Sequence, residues 1–213
     1  TEKIESDGTD LSITVGAGGD INIGSAIGLT FGDDGEKIEG DGTDLTIACS
    51  GDLNVINTGT MVISGSVKRS LVTITGTDAI TQIEHAGRVN LLGEVGGNAL
   101  VTLTLPAATG SGLEYKFIVS VVNTSSYKIV VADASDTIDG SVNILDADAN
   151  AQTAFVTAAT SDTVILNGTT SGGGSIGDTI TLTDIASNQY AIEGQLVCAA
   201  GSNPATPFSA TVS

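Results

Sequence analysis

Aromatic side chains are scarce in this chain. Three Tyr and four Phe are its only ones, with no Trp, among 213 residues. A monomeric globule of this length ordinarily takes several large rings into its core, because each buries a great deal of area. Here the core must be built from thin aliphatic layers, which suits a slender, repetitive or multi-chain β structure. Basic residues are as rare. Seven Lys and Arg stand against 25 Asp and Glu, for a net charge of −18 and a pI near 4.1. Such a surface repels phosphate backbones and excludes nucleic acid as a partner. Its plainest role is solubility. The two cysteines, Cys49 and Cys198, are far apart and read as small buried hydrophobes, with no reason to prefer a disulfide. No signal peptide and no apolar run of bilayer length occurs, so no membrane partner is expected. The chain opens on Thr1 rather than Met, which fits initiator removal, a fragment or maturation alike.

What is abundant is aliphatic residues and turn formers. Hydrophobic residues make up 40% of the chain, and the mean hydropathy of +0.27 is not that of a disordered acidic tail. Twenty-eight Gly, with many Thr, Ser, Asn and Asp, indicate frequent tight turns. No window of ten or more residues carries a capped helical stripe. The fold class is therefore all-β.

The organising feature is a repeat. Glu2–Ile13 reads EKIESDGTDLSI, and Glu36–Ile47 reads EKIEGDGTDLTI, with only Ser6 and Ser12 replaced, by Gly40 and Thr46. The period is 34 residues here and 32 further in, where Gly19-Asp20-Ile21-Asn22-Ile23 matches Gly51-Asp52-Leu53-Asn54-Val55. Short alternating runs at 11–15, 21–23, 28–31, 45–48, 53–56 and 61–63 read as strands. Each buries too little to be stable alone. Two copies are also too few for a free solenoid, whereas a homotrimer supplies partners by symmetry. Residues 1–66 are therefore expected to form a fibre- or β-solenoid-like shaft or base, completed by sister chains.

Residues 67–98 read as transition strands. From 99 to 213 the apolar runs deepen, at 99–106, 113–122, 127–133, 141–146, 162–168, 178–184, 190–198 and 208–212. Their alternation, broken by loops, predicts an antiparallel β-sandwich or jelly roll.

Catalytic constellations are thin. His85 is the only histidine, and no nucleophile elbow stands in a strand-turn-helix context, so His85 is read as bonding a turn. Arg88 is expected to pair with an acidic neighbour or a sister chain. Carboxylate pairs occur at Asp33-Asp34, Asp133/Asp136 and Asp146/Asp148, but a glycosidase groove would also need aromatic platforms. Oxygen-rich loops at 32–42 and 146–150 make Asp33, Asp34, Asp41, Asp146 and Asp148 the candidates for calcium. Neither is an EF-hand, and the competing reading is that Asp and Gly simply form turns. The cofactor expectation is accordingly none, with calcium as the alternative. The glycines of SGGGSIGD (171–178) precede a strand rather than a helix, which excludes a phosphate loop and predicts a hairpin loop. No enzymatic activity is expected.

Four stretches carry a family likeness: HAGRVNLL (85–92), VTLTLPAATGSGLEYKFIV (101–119), ASDTIDGSV with DTVILNGTTSGGGSIGDTITLTDIASNQYAIEG (134–142, 162–194), and ATPFSATVS (205–213). Over roughly residues 80–213 they resemble a C-terminal β domain of tailed-bacteriophage virion structural proteins. Tyr190 departs from the pattern, which often has Trp there. The resemblance implies a homotrimeric capsid decoration (cement) protein or head fibre. Its partner would be the major capsid protein, its place the virion surface after synthesis in the bacterial cytoplasm, and its role to stabilise the head. The alternative is a tail fibre that recognises a host-surface glycan.

Overall fold

The computed structural model describes residues 3–6, 8, 11–15, 17, 19, 21–22, 28–31, 33–40, 43–48, 50, 53–56 and 58–212. The chain divides into two compact units, Thr1–Ser64 and Gly65–Ser213. Strands predominate in both, so the chain is all-β.

In the first unit the repeated sequence is a β-hairpin. Strands β1 (Lys3–Ser6) and β2 (Leu11–Thr14) pair antiparallel from Lys3↔Thr14 to Ser6↔Leu11. Their counterparts β4 (Asp33–Gly40) and β5 (Leu45–Ala48) pair from Lys37↔Ala48 to Gly40↔Leu45. Every partner in the second hairpin lies 34 positions after its counterpart in the first. In sequence the strands of each hairpin are separated by Asp-Gly-Thr-Asp, and Gly8 takes φ +90°, a conformation that side chains disfavour. Strand β3 (Gly28–Phe31) adds antiparallel to β4 and completes a three-stranded meander.

Pairing among the described strands of this unit is thus between hairpin neighbours and antiparallel, not between stacked parallel coils. A four-residue loop closes at less entropic cost than a full solenoid turn. Two readings are corrected here. Residues 33–40, expected within a loop, form β4, because the hairpin repeat gives them partners on both sides. The backbone at 21–22, 53–56 and 61–63, expected as strands, has no ladder pairing.

The second unit holds β6 (Leu71–Ile74), β7 (Asp78–Ala79), the short helix α1 (Gln82–His85), β8 (Val89–Leu92), β9 (Leu100–Thr104), β10 (Glu114–Val119), β11 (Ser126–Val130), β12 (Thr137–Asp146), β13 (Ala151–Val156), β14 (Thr163–Leu166), β15 (Thr179–Ala186), β16 (Gln189–Cys198) and β17 (Phe208–Ser209). One sheet runs β13-β12-β16-β15-β10-β8-β6 and the other β17-β14-β11-β9-β7. Residues 67–98 therefore contribute three strands to these sheets.

The sheets are mixed, where antiparallel ones were expected. From β6 to β12 the chain changes sheet at every step. Strands two apart in sequence thus become parallel neighbours: Leu71↔Val89 and Lys116↔Val89 in one sheet, Asp78↔Leu103 and Ile129↔Leu103 in the other. Later strands close the sandwich antiparallel, β15 on β10 and β14 on β11, while β12 and β16 run parallel over ten residue pairs. Period-two alternation encodes which face is buried but not the direction of the neighbour, and that is why the parallel winding was not legible.

One core joins both sheets. Tyr115, Phe117 and Val119 enter it from β10, Val101 and Leu103 from β9, and Ile180 and Leu182 from β15. All three tyrosines of the chain are buried in it. The rings of Tyr115 and Tyr190 meet edge to face at 6.3 Å, and the Tyr190 hydroxyl donates to Pro106 O at 2.8 Å. The few rings the chain has are thus concentrated where two sheets must be spanned. Cys198 is a buried free thiol, whereas Cys49 lies outside the described residues.

Candidate functional site

Most buried carboxylates of the second unit tie down loops. Asp184, on β15, is 2% exposed. It accepts the backbone N–H groups of Thr109 (3.0 Å), Gly110 (2.7 Å) and Ser111 (3.0 Å), and the hydroxyls of Thr109 (3.1 Å) and Ser111 (2.7 Å). Burial by itself would raise its pKa, but the donors from Ser111, Gly110 and Thr109 win and hold it at about 2. Asp178 accepts from Gly173 N (2.6 Å) and Val197 N (2.9 Å), fastening the glycine loop at 171–178 to β16. There burial prevails over the hydrogen bonds and pushes the pKa up to about 6. Asp162 fastens the end of the chain through Thr211 N (2.8 Å) and Val212 N (3.1 Å). Glu94 gathers Thr124 N (2.6 Å), the Ser125 hydroxyl (2.8 Å) and Gly96 N (3.1 Å), and its pKa falls to about 2, chiefly through the Thr124 N–H.

The calcium candidates are not brought together as a described cluster. Asp146 ends β12 and its Oδ1 accepts from Asp148 N (3.0 Å) and Ala149 N (3.2 Å), while Asp148 accepts from Gly201 N. These are turn-closing bonds. Asp33 and Asp34 lie in β4, with side chains outside the described residues, and Asp41 lies outside them altogether. Among the described residues no three His, Cys, Asp or Glu side chains converge as a metal site. Asp133 caps Ser135 N at 2.8 Å, and buried Asp136 faces Ala108 N at 3.4 Å.

His85 closes α1 and is buried. Its Nδ1 accepts from Thr81 N at 3.0 Å, and its Nε2 faces Asp78 Oδ2 at 3.7 Å. The Thr81 hydroxyl lies 3.4 Å from the same Nδ1 but caps the helix by accepting from Glu84 N at 3.2 Å. A lone pair already bonded to the main chain cannot take a proton from a nucleophile, so Thr81, His85 and Asp78 do not form a working triad. Arg88 makes no ion pair with a described residue; the one Arg–carboxylate pair among them joins Arg69 to Glu114 at 3.0 Å.

A concavity that sequence reasoning missed lies on the outer face of the seven-stranded sheet, with a volume of about 480 Å³. Its first row is Lys116↔Thr181↔Glu193↔Ser141, in register across β10, β15, β16 and β12. Its second is Thr179↔Gln195↔Asn143. Their sequence neighbours Phe117, Ile180, Ile192 and Val142 are buried on the opposite face, which fixes these side chains outward. Polar residues at alternate positions mark any solvated sheet face. Only the register of four strands far apart in sequence gathers these into one surface.

No known protein family, curated protein or solved structure matches the chain. No helix among the described residues is long and apolar enough to cross a membrane.

Proposed function

We propose that the chain is a structural protein of a tailed-bacteriophage virion. It acts as a homotrimeric decoration protein or head fibre, bound to the major capsid protein and without catalytic activity. The observation that carries this reading is the uneven placing of apolar side chains. The second unit closes a core of its own. In the first unit and the residues just after it, thirteen large apolar side chains from Ile13 to Val67 are exposed, among them Ile47 at 53%, Leu45 at 71% and Ile56 at 94%. A two-stranded hairpin is marginal by itself. At roughly 40–70 Å² of uncovered apolar surface per residue, the set amounts to about 500–900 Å². A stable interface takes about 800 Å² from each partner.

The two hairpins present equivalent positions, Ile13 in one and Ile47 in the other, both exposed. A surface that occurs twice in one chain suits closure by other copies of itself. Burial of such surface across neighbouring subunits is also how a decoration protein opposes the internal pressure of packaged DNA. The likeness of residues 80–213 to phage virion domains supplies the setting. The test has two parts: the mass of the intact protein in solution, and electron cryo-microscopy of expanded, empty capsids incubated with it. A trimer, with density at three-fold or quasi-three-fold lattice positions, supports the reading. A folded monomer removes the trimer. Bare capsids with protein on tails or host cells replace decoration with the tail-fibre reading.

A further inference from the structure

We propose that the outer concavity of the seven-stranded sheet binds a neutral oligosaccharide through hydrogen bonds. The inference concerns the isolated second unit and does not depend on where the chain sits on a virion. Its basis is a contrast in how polar side chains are used. Glu94, Asp162, Asp178 and Asp184 spend their oxygens on loop N–H and hydroxyl groups. In the concavity Lys116, Ser141, Asn143, Thr181, Glu193 and Gln195 make no side-chain hydrogen bond and no ion pair with any described residue. The surface therefore offers cation, carboxylate, hydroxyl and amide groups with their bonding capacity free.

Geometry narrows the ligand. Lys116 and Glu193 share one cross-strand row but are separated by Thr181, a span of about 10 Å at the usual strand spacing. They do not neutralise each other. A ligand that satisfies both must donate at one end and accept at the other, with further donors and acceptors between. Sugar hydroxyls do both at every position. The volume of about 480 Å³ falls within the range of small-molecule sites. An anionic ligand would meet Glu193 and a chain of net charge −18. An extended peptide seeks a free strand edge or apolar pockets, but β10, β15, β16 and β12 are all interior strands of the sheet and the lining is polar. The floor stands on strands with Ile180, Leu182 and Ile192 packed behind it, so little ordering is needed on binding. No ring lines the site, so binding rests on hydrogen bonds and is expected to be of modest affinity, in the high-micromolar range.

The experiment uses the full chain on an array of neutral and acidic oligosaccharides, followed by titration calorimetry with the neutral trisaccharide that gives the strongest signal. The expected result is saturable binding that weakens at least ten-fold in Glu193→Ala and in Gln195→Ala. Both side chains are exposed, so the melting temperature should hold. Glu84→Ala, an exposed charge change on α1, serves as the control and should bind as the parent does. Three results would overturn the proposal: no array member bound at about 1 mM, binding confined to acidic sugars, or binding indifferent to both substitutions.

Discussion

Residues 1–64 and 65–213 draw on the same aliphatic vocabulary and use it in opposite ways. In the second unit the apolar sides of the central strands meet a second sheet of the same chain, and Tyr115, Tyr127 and Tyr190 fill the gap between them. In the first unit the strands have hairpin partners, but among the described residues no second layer covers them, and Ile13, Ile38, Leu45 and Ile47 are exposed. Pairing and burial are thus separable requirements. A hairpin pairs the inward half of its backbone groups with one neighbour and leaves the outer half to water, whereas its apolar face needs another surface.

The most drastic way to break the comparison is to cut between the units. Residues 65–213 should fold alone with a single cooperative transition, while residues 1–64 alone should show no cooperative melt, both read by circular dichroism. A smaller but still large effect is expected of Asp184→Ala, which leaves the N–H groups of Thr109, Gly110 and Ser111 without their acceptor. It should cost about 3 kcal/mol or more in denaturant unfolding of the second unit. By contrast, Ile38→Asn with Ile47→Asn should change that transition by less than about 0.5 kcal/mol. In the homotrimer proposed above, the same pair should lower the solution mass to that of a monomer.

A finer effect is one of pH. The folded pKa of Asp178 lies above the ordinary value of 3.8, at about 6. The stability linked to it is therefore fully present below 3.8 and lost as pH rises through 6, a change on the order of 3 kcal/mol. Asp184 has the opposite sign. Its contribution is present above 3.8 and lost as pH falls through about 2. Urea unfolding across this range should show the Asp178 slope in the parent and not in Asp178→Asn. An unchanged slope in the variant would place its origin elsewhere.

Much of this architecture was readable before the structure. Each of the eight apolar runs expected between 99 and 213 coincides with a strand, from β9 at Leu100–Thr104 to β17 at Phe208–Ser209. LEYKFIVSVV was read only as a strand; the structure shows that its Tyr115, Phe117 and Val119 are the residues turned inward. Strand β13, Ala151–Val156, was missed because AQTAFV is an edge strand with almost every residue solvated, so nothing imposed a pattern on it. The runs at 53–56 and 61–63 have the apolar pattern of strands but pair with no strand among the described residues. Local pattern records what a segment is prepared to bury, not what arrives to cover it. The concavity was hidden for a related reason. Lys116, Asn143, Thr181 and Glu193 come from four segments spread over nearly eighty residues, and only the ladder registers unite them.

The alternation of β6 to β11 between two sheets also has a mechanical meaning. The first strand of the second unit, β6, is an edge of one sheet, and the last, β17, is an edge of the other. Tension applied to the two ends of this unit therefore bears first on outermost ladders, four residue pairs between β6 and β8 and two between β14 and β17. The load reaches β10, β11 and their tyrosines only after those ladders have opened. A protein tethered at both ends would then yield in steps, spending force on its rims while the centre of the sandwich stays closed.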